Sequence, residues 1–326
     1  MPVPLSPASR LFITGGTGFF GKAILRKLRD SADLARIAAV VVLSRDPEGF
    51  LQRNPEFSGM ANLSFHRGDL LSCEFPEEPF THLIHAATDT NNQNLADPLR
   101  YFDEILLGTR RALDFAVASG VKSFLLTSSG AIYGPQPVEL EAIPESYLGA
   151  PSTVDPRAVY GQAKRAAEQL CRIYYDQFGL DCRIARCFSF IGRDMPLDGQ
   201  YAIGNFIRDA LSSKVDCITV QGDGTPVRSY LHTDDLAVWL LKILQQGGTC
   251  HPYNVGSDEA VTMADLARRV RDLLAPDKAV VIAQQRPDYG GRSRYIPSID
   301  RICRELDVRV EKRLNESILD VAGALR

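Results

Sequence analysis

The sequence predicts an α/β fold in which a parallel sheet is covered by helices on both faces. Short apolar runs alternate with segments of helical apolar spacing through the first half of the chain, and a glycine-rich turn joins the first run to the first helix. Strands that alternate with helices favour a parallel sheet. The alternation weakens after about residue 190. We therefore expect a smaller C-terminal region that closes over the carboxyl edge of the sheet.

The predicted strands are apolar runs, and strands buried on both faces should be continuously apolar. The clearest run is IAAVVVLS at 37–44, and the others lie at 10–14, 63–70, 81–87, 122–129 and 182–187. Helices are predicted at 19–30, 98–119 and 157–178 between these strands. In the C-terminal region, where glycine and proline become frequent, helical stretches lie near 203–213, 234–246 and 262–274.

Composition and charge narrow the function classes. The net charge of the 326-residue chain is −3, so no basic field attracts nucleic acid or an anionic membrane. No segment approaches the ~18 apolar residues of a membrane span, and the N-terminus lacks the apolar region of a signal peptide. The seven cysteines are scattered without a C-x-x-C pair, and the five histidines lack ligand spacing. These features predict a cytoplasmic protein with neither a disulfide framework nor a metal site.

The glycine-rich turn predicts a dinucleotide site. Gly15, Gly18 and Gly21 follow the first strand directly and open the first helix. Glycines let backbone N–H groups approach a pyrophosphate, and the helix N-terminus adds partial positive charge. The other candidate contacts in this turn are Thr17, Phe19 and Phe20.

The end of the second strand bears on which dinucleotide binds. NAD sites usually place an acid there, whereas NADP sites often use an arginine for the 2′-phosphate. Ser44 stands where the acid is expected and Arg45 follows, which favours NADP. Asp46 leaves NAD as the alternative, because its carboxylate can reach a ribose hydroxyl. At the end of the third strand, Asp69 and Leu70 are candidate adenine contacts.

A tyrosine and a lysine one helical turn apart suggest proton transfer. Tyr160 and Lys164 share a helix face. A free phenol titrates near ~10, and a nearby ammonium and a cationic nicotinamide ring would favour the phenolate. The preceding strand ends at Ser128 and Ser129, whose hydroxyls can bond a substrate oxygen.

Together these motifs resemble the extended short-chain dehydrogenase/reductase family of nucleotide-sugar epimerases, dehydratases and ketoreductases. The resemblance covers nearly the whole chain and rests on TGGTGFFG, RGDL, HAA, TSSGAIYG, YGQAK and GDGTPVRSYLHTDDLA in the family's order. It implies a Rossmann doubly wound parallel sheet with a smaller C-terminal substrate-binding domain. The expected division is 1–188 for the dinucleotide domain, with a segment of about 214–246 returning to it, and 189–326 mainly for the substrate.

The resemblance also implies roles for individual residues. Tyr160 would be the acid/base, Lys164 would bond the nicotinamide ribose and lower the tyrosine pKa, and Ser129 would hold the sugar oxygen. Further cofactor contacts would be Ala86, Ala87 and Thr127. Substrate contacts would be Ser128, Ser189, Asn205, Arg228 and Arg286, with the two arginines on a diphosphate. Family members often form homodimers through two helices, here near 98–119 and 157–178.

Departures from the family pattern argue against some of the family's reactions. Gly130 and Ala131 stand where sugar 4,6-dehydratases carry Asp-Glu, and nucleotide-sugar decarboxylases usually carry a Glu in this stretch. GDP-fucose synthases place a cysteine at the position of Ala131. Ser189 replaces an asparagine that touches the sugar in many epimerases.

The resulting prediction is an NAD(P)-dependent enzyme that acts at C4 of a nucleotide-diphosphate sugar, as an epimerase or a 4-ketoreductase. The alternatives are a 4,6-dehydratase, a reductase of a non-nucleotide carbonyl compound, and a non-catalytic dinucleotide-binding protein. The retained Tyr160 and Lys164 argue against the last of these.

Overall fold

Fourteen strands and nine α-helices form in the part of the chain that the computed structural model describes, which is residues 3–32, 36–88, 96–199, 201–284 and 293–325. The strands are β1 (Arg10–Thr14), β2 (Ala39–Ser44), β3 (Leu63–Arg67), β4 (His82–His85), β5 (Ser123–Ser129), β6 (Cys182–Cys187), β7 (Phe190–Ile191), β8 (Cys217–Val220), β9 (Val227–Arg228), β10 (Leu231–His232), β11 (Pro252–Val255), β12 (Val261–Thr262), β13 (Ala279–Ile282) and β14 (Arg294–Tyr295). The helices are α1 (Phe19–Asp30), α2 (Pro47–Arg53), α3 (Pro98–Ala118), α4 (Val159–Phe178), α5 (Ala202–Leu211), α6 (Thr233–Gln246), α7 (Met263–Leu274), α8 (Asp300–Leu306) and α9 (Leu314–Ala324).

The central sheet contains seven parallel strands in the order β11-β6-β5-β4-β1-β2-β3. The order turns at β1, from which the chain moves out through β2 to β3 and then returns on the other side through β4. This arrangement confirms the predicted α/β fold with a doubly wound parallel sheet. It leaves the carboxyl ends of β1, β2, β4, β5 and β6 along one edge, where ligands bind in sheets of this topology.

The two faces of the sheet bury separate apolar cores. Leu11 and Ile13 of β1 point into a core that includes side chains of α1 and α6. Phe12, between them, points into the opposite core with Leu113 and Phe115 of α3 and with side chains of α4. Because successive side chains of a strand alternate between faces, a strand that is covered on both sides must be apolar throughout.

A third core forms in the C-terminal part of the chain. Side chains of α5, α7 and α9 pack there around Ile218 and Val220 of β8. The β8 strand pairs with β13, away from the central sheet, whereas α6 packs against α1. The segment 214–246 thus contributes to both parts of the molecule, and the domain boundaries stay a prediction.

Two features are absent from the described residues. No helix in these ranges combines the length and apolarity needed to cross a bilayer. Within the same ranges no three His, Cys, Asp or Glu side chains are grouped to hold a metal ion. All seven cysteines are free thiols.

Candidate active site

A cavity of about 1630 Å³ lies at the carboxyl edge of the central sheet. This exceeds the ~300–1,000 Å³ typical of a pocket for one small ligand, so it has room for two. We name its two ends by their residues. The glycine-turn end comprises Gly15, Gly18, Arg45 and Asp69, and the Arg228 end comprises Ser189, Pro226, Arg228 and Tyr230. The sheet order places the end of β5 between the ends of β1 and β6.

Most of the predicted site residues line this one cavity. They are Gly15, Thr17, Gly18, Phe19, Phe20, Ser44, Arg45, Asp69, Leu70, Ala86, Ala87, Thr127, Ser128, Ser129, Tyr160, Lys164, Ser189 and Arg228. Gly21 and Asn205 are not among the lining residues, and Arg286 lies outside the described residues.

The glycine turn brings backbone N–H groups to the cavity. Gly15 has φ +74°, and a Cβ there would lie 2.4 Å from the carbonyl oxygen of Ala86, so only glycine fits. The N-cap of α1 is Gly18, whose lack of a side chain leaves the first turn of the helix without a side-chain cap. Gly21 is buried against Gly16, where a Cβ would lie 2.3 Å from the Gly16 Cα. Its contribution is close packing of helix against turn rather than direct contact with a ligand.

The two residues after β2, Arg45 and Asp46, differ in whether their side chains already have partners. Arg45 lines the cavity with an exposed side chain, and within the described residues its guanidinium has no hydrogen-bond or ion-pair partner. Asp46 caps α2 by accepting from the Gly49 N–H at 3.0 Å, and it also pairs with Arg53 at 3.4 Å. Asp46, the acid that kept NAD as the alternative cofactor, is therefore already engaged in capping a helix.

The end of β3 forms a tight turn beside the cavity. The Asp69 carboxylate accepts from the Leu71 N–H at 2.9 Å, and the Asp69 carbonyl accepts from the N–H of Cys73 at 2.8 Å. Asp69 and Leu70 are thereby presented to the cavity on a fixed backbone. Gly68 and Leu71 line it as well, although the sequence analysis did not single them out.

Lys164 is buried at the carboxyl edge of the sheet. Its Nζ donates to the Thr88 hydroxyl and to the Thr127 carbonyl, each at 2.8 Å, and only 2% of the residue is exposed. Burial lowers the pKa of Lys164 to about 8. Thr127, a predicted cofactor contact, thus holds the ammonium through its carbonyl, while its hydroxyl donates to the His85 carbonyl at 3.1 Å.

Tyr160 lies on the same helix, with the centre of its ring 6.0 Å from the Lys164 Nζ and stacked on Tyr101. Burial raises the pKa of Tyr160 to about 12, opposed by a hydrogen bond with Ser129. The expectation that Lys164 lowers the tyrosine pKa is not met by the protein groups alone. At this distance the ammonium is committed to Thr88 and Thr127, and desolvation of the phenolate is the larger effect.

The two serines at the end of β5 have different partners. The Ser128 hydroxyl donates to Glu168 at 2.5 Å, and Glu168 is in turn paired with Arg186 at 2.8 Å. Ser129 accepts from the Ala131 N–H at 3.1 Å, which leaves its proton and a second lone pair for other groups. Ser129 therefore keeps hydrogen-bonding capacity that Ser128 uses on Glu168, and substrate contact by either serine stays a prediction.

At the other end of the cavity, Arg228 is a cation without an acid. Its Nη1 donates to the carbonyls of Val227 and Ser293, both at 2.9 Å, and no carboxylate of the described residues pairs with it. Burial lowers the pKa of Arg228 because the guanidinium lacks solvent and a counter-charge. Such a group is ready to receive an anion.

Asn205 is placed away from this chemistry. Its amide donates to the Gly199 carbonyl at 2.8 Å and accepts from Arg208 at 3.0 Å. The side chain therefore ties the segment before α5 to the helix. A substrate contact by Asn205 stays a prediction without support from the cavity lining.

Tyr295 lies beside Gly130, the residue after Ser129, and was not predicted from the sequence. Its hydroxyl lies 2.6 Å from where a Cβ on Gly130 would stand, and its ring packs on Phe188 with centroids 4.6 Å apart. β14 brings it there by pairing with β9, in which Tyr295 is opposite Arg228. A tyrosine in a short strand far along the chain carries no sequence signal for this position.

The sequence of the chain matches a protein family and curated relatives. The model of a family described as NAD dependent epimerase/dehydratase matches residues 11–256. UDP-glucuronic acid decarboxylase 6 of Arabidopsis thaliana is 30% identical over 325 residues, covering 98% of this chain and 91% of the relative. These matches agree with the resemblance seen in the motifs.

Two solved structures share the fold. UDP-N-acetylglucosamine 4-epimerase from Methanobrevibacter ruminantium, in complex with UDP-N-acetylmuramic acid, superposes with a TM-score of 0.83 at 21% identity, covering 98% of both chains. RMD from Pseudomonas aeruginosa, complexed with NADPH, superposes with a TM-score of 0.77 at 25% identity, covering 97% of this chain and 98% of that one.

Proposed function

The chain belongs to the NAD dependent epimerase/dehydratase family, and we propose that it is an oxidoreductase or epimerase acting at C4 of a nucleotide-diphosphate sugar. One observation carries the proposal. Tyr160, Ser129 and Lys164 line a single cavity that also holds the glycine turn at one end and the unpaired guanidinium of Arg228 at the other. A dinucleotide and a second diphosphate ligand would each find positive charge there.

The residues present fit a nicotinamide dinucleotide. The uncapped first turn of α1 offers N–H groups for a pyrophosphate, and Arg45 offers a guanidinium for a 2′-phosphate. The cofactor, when bound, would supply a hydride to a carbonyl carbon or accept one from a carbinol. Lys164 would bond the ribose hydroxyls through the donors that now reach Thr88 and Thr127.

The proton is handled by the chain's own residues. Tyr160 would give a proton to the C4 oxygen in reduction and remove it in oxidation, because its phenol lines the cavity together with Ser129 and Lys164. Ser129 would hold the same sugar oxygen with its remaining hydrogen-bonding capacity. Because burial raises the pKa of Tyr160, the phenol is protonated at neutral pH, which is the form that donates in reduction.

We propose NADP as the cofactor, with NAD as the alternative. Arg45 is free and exposed at the cavity, whereas Asp46 is engaged in capping α2. The structure of RMD contains NADPH, and the family description names NAD. The preference therefore rests on the two residues after β2.

The residues beside Ser129 disfavour elimination of water. Gly130 has no side chain, Ala131 has no ionisable group, and the space next to Gly130 is filled by Tyr295 and Phe188. A 4,6-dehydratase needs groups that move protons at C5 and C6, and neither Gly130 nor Ala131 carries such a group.

Decarboxylation is a second candidate because of one observation, the 30% identity with a UDP-glucuronic acid decarboxylase over 98% of this chain. Oxidation at C4 of a uronate creates a ketone β to the carboxylate, and such an acid loses carbon dioxide readily. That reaction would use Tyr160 and Ser129 in the same roles. The Gly130–Ala131 pair, which lacks the usual Glu, places this candidate second.

A homodimer through α3 and α4 is also proposed. The two helices pack on each other and leave apolar side chains exposed, of which Leu99 is 73%, Phe178 is 56% and Leu107 is 48% exposed. Light scattering on the purified protein tests this, and a monomer at micromolar concentration would contradict it. The cytoplasmic location stays a prediction.

The experiment for the function is a product analysis. The protein would be incubated with UDP-, dTDP-, GDP- and CDP-linked sugars plus NAD⁺ or NADP⁺, and with 4-keto sugar nucleotides plus NADPH. Nicotinamide absorbance and mass spectrometry then separate reduction, epimerisation, loss of carbon dioxide and loss of water. Reduction or epimerisation at C4 is expected. Turnover only of a carbonyl compound without a nucleotide, unaffected by free nucleoside diphosphates, would overturn the proposal.

A further inference from the structure

The turn after β3 is held against α3 by three residues that lie in one row along that helix. Gly108, Arg111 and Phe115 are spaced by three and four residues, which places them on one helix face. β3 is the outer strand of the central sheet, so the turn that follows it has a sheet neighbour on one side only. We therefore expect the contacts with α3 to fix the position of this turn.

Arg111 donates to two backbone carbonyls of the turn. Its Nε donates to the carbonyl oxygen of Leu70 at 2.8 Å, and its Nη2 donates to that of Cys73 at 2.5 Å. A guanidinium presents its donors in a rigid planar fork. Two hydrogen bonds from one guanidinium therefore set both the distance of the turn from α3 and its orientation.

Two further contacts hold the segment on either side of these bonds. Leu70 packs on the helix at Gly108, where an added Cβ would lie 2.9 Å from the Leu70 Cδ2. The ring of Phe75 stacks on Phe115 with centroids 4.4 Å apart, and the Arg111 Cζ lies 5.5 Å from the centre of the Phe75 ring. The row on α3 thus contacts the segment from its beginning to its end.

The same turn forms part of the wall of the large cavity. Gly68, Asp69, Leu70 and Leu71 line it. Arg111 is not among the described residues that line this cavity, and its side chain borders a separate cavity of about 390 Å³. A change at Arg111 therefore reaches a ligand in the large cavity by moving the backbone of the turn.

We propose that Arg111 is a positioning residue for the adenine half of the dinucleotide, which rests on the cofactor of the proposed function. It holds the turn that carries Asp69 and Leu70, the predicted adenine contacts. Adenine is common to NADPH and NADH, so Arg111 supports the binding of both equally, whereas Arg45 would serve the 2′-phosphate of NADPH alone. The nicotinamide half, which would lie near Tyr160, does not depend on Arg111.

The first test measures binding to the full chain and needs no sugar. Arg111→Met keeps an unbranched apolar side chain but removes the donors. The Kd values for NADPH and NADH, measured by dihydronicotinamide fluorescence, should both rise about tenfold, because the turn loses two charge-assisted hydrogen bonds. Reduced nicotinamide mononucleotide, which lacks the adenine half, should bind as it does to the wild type. An unchanged Kd for NADPH, or an equal loss of affinity for the mononucleotide, would overturn the inference.

Arg111→Lys and Arg110→Met are the matched variants. Lysine restores a donor without the planar fork, so Arg111→Lys should recover part of the lost affinity. Arg110 is the exposed neighbour on the same helix, and Arg110→Met removes the same charge without touching the turn. All three Kd values should stay at those of the wild type in Arg110→Met. A loss of NADPH affinity there equal to that of Arg111→Met would assign the effect to charge or to the helix and would overturn the proposal.

Gly108→Ala reaches the turn without changing Arg111. Its methyl group would displace the Leu70 side chain, so affinity for NADPH and NADH should fall about threefold while affinity for the mononucleotide stays the same. Alanine favours a helix more than glycine does, so the loss of affinity should occur in a helix that is not weakened. Unchanged affinity for NADPH in this variant would contradict the inference even if Arg111→Met did not fold.

Turnover then separates the inference from the proposed function. With a reducible substrate identified by product analysis, Arg111→Met should raise KM for NADPH about tenfold and leave kcat and KM for the nucleotide sugar unchanged. If the Kd values change as expected but the wild type turns over no nucleotide sugar, the positioning stands and the function fails. If the wild type turns over a nucleotide sugar and Arg111→Met keeps the wild-type KM for NADPH, the function stands and the positioning fails.

Discussion

The two ends of the cavity are built in different ways. At the glycine-turn end, each contact comes from the turn that directly follows a strand of the central sheet: Gly15 and Gly18 after β1, Arg45 after β2, and Asp69 after β3. At the Arg228 end, only Ser189 of the named contacts follows a strand of the central sheet, and the others come from short segments that meet through tertiary packing. Ser189 follows β6, Arg228 lies in β9, and the carbonyl of Ser293 that holds Arg228 belongs to the residue before β14.

This difference distinguishes the contacts that the fold itself fixes from the contacts that can be adapted to a ligand. The parallel sheet brings the strand ends together, so any chain that forms it presents backbone N–H groups and one helix N-terminus in the same place. The Arg228 end depends on short strands whose side chains are free to vary. We therefore expect changes at the Arg228 end to affect one ligand and changes at the glycine-turn end to affect the other, with Tyr160 common to both.

The largest effect is expected from Tyr160→Phe. Loss of the acid/base should lower turnover by about 10²–10⁴-fold, whereas cofactor affinity should change little because the phenol is not needed for binding. Steady-state kinetics and a fluorescence titration with NADPH measure the two quantities. Turnover near that of the wild type would break the comparison, because the two ends would then meet at a different catalytic group.

Arg228→Ala should weaken only the binding of the nucleotide sugar. Removing an unpaired guanidinium from a diphosphate should raise KM for the nucleotide sugar by about 10- to 100-fold and leave the Kd for NADPH unchanged. Arg228→Lys keeps the charge but not the planar fork, so it should recover part of the loss. An equal loss of affinity for NADPH would show that the two ends are not independent.

Arg45→Ala should have the reciprocal effect. The Kd for NADPH should rise by about tenfold, while the Kd for NADH and KM for the sugar nucleotide should stay the same. Asp46→Ala is the matched control, because its carboxylate caps α2. This variant should lose about 1 kcal/mol of stability without changing cofactor preference. A gain in NADP preference from Asp46→Ala would reassign this acid to the ribose.

The smallest expected effect is a change with pH in the contribution of Lys164 to stability. Lys164 lies between the two ends. Its pKa is about 8 in the folded protein and 10.5 ordinarily, so between these values the unfolded chain binds more protons. Stability from this group must therefore rise with pH across that window. The free energy of unfolding of the wild type minus that of Lys164→Met should increase from about pH 8 to 10.5 in denaturant titrations. A flat or falling difference would mean that the ammonium is not desolvated.

Much of the sheet was predictable from the sequence, because apolar runs and glycine turns are local signals. The predicted bounds of β1, α1 and β6 coincide with those in the structure. The strand β11 was not predicted. It has four residues and begins at Pro252, and a proline in so short a run indicates a loop as readily as an edge strand. Only pairing with β6, far away in the chain, makes it a strand.

The residues of the site also divide into those that could be predicted from the sequence and those that could not. The glycine turn and the Tyr160–Lys164 spacing are readable because both depend on local geometry. The partners of Lys164 are not, since Thr88 and Thr127 meet the ammonium only when β4 and β5 lie side by side. Tyr295 was missed for the same reason. The different hydrogen bonds of Ser128 and Ser129 were not predictable either. Ser128 donates to Glu168, which lies far away in the sequence and gives no local signal.

The position of β11 has a consequence for how the polypeptide can be shortened. This strand covers the outer edge of β6 along Ile184–Cys187 and is supplied by residues that follow α6. A fragment ending ahead of Pro252 would keep the glycine turn, Tyr160 and Lys164, yet would expose a row of unpaired backbone groups on an apolar strand. Such an open edge recruits strands from other molecules, so the fragment should self-associate and precipitate rather than persist as a minimal cofactor-binding unit.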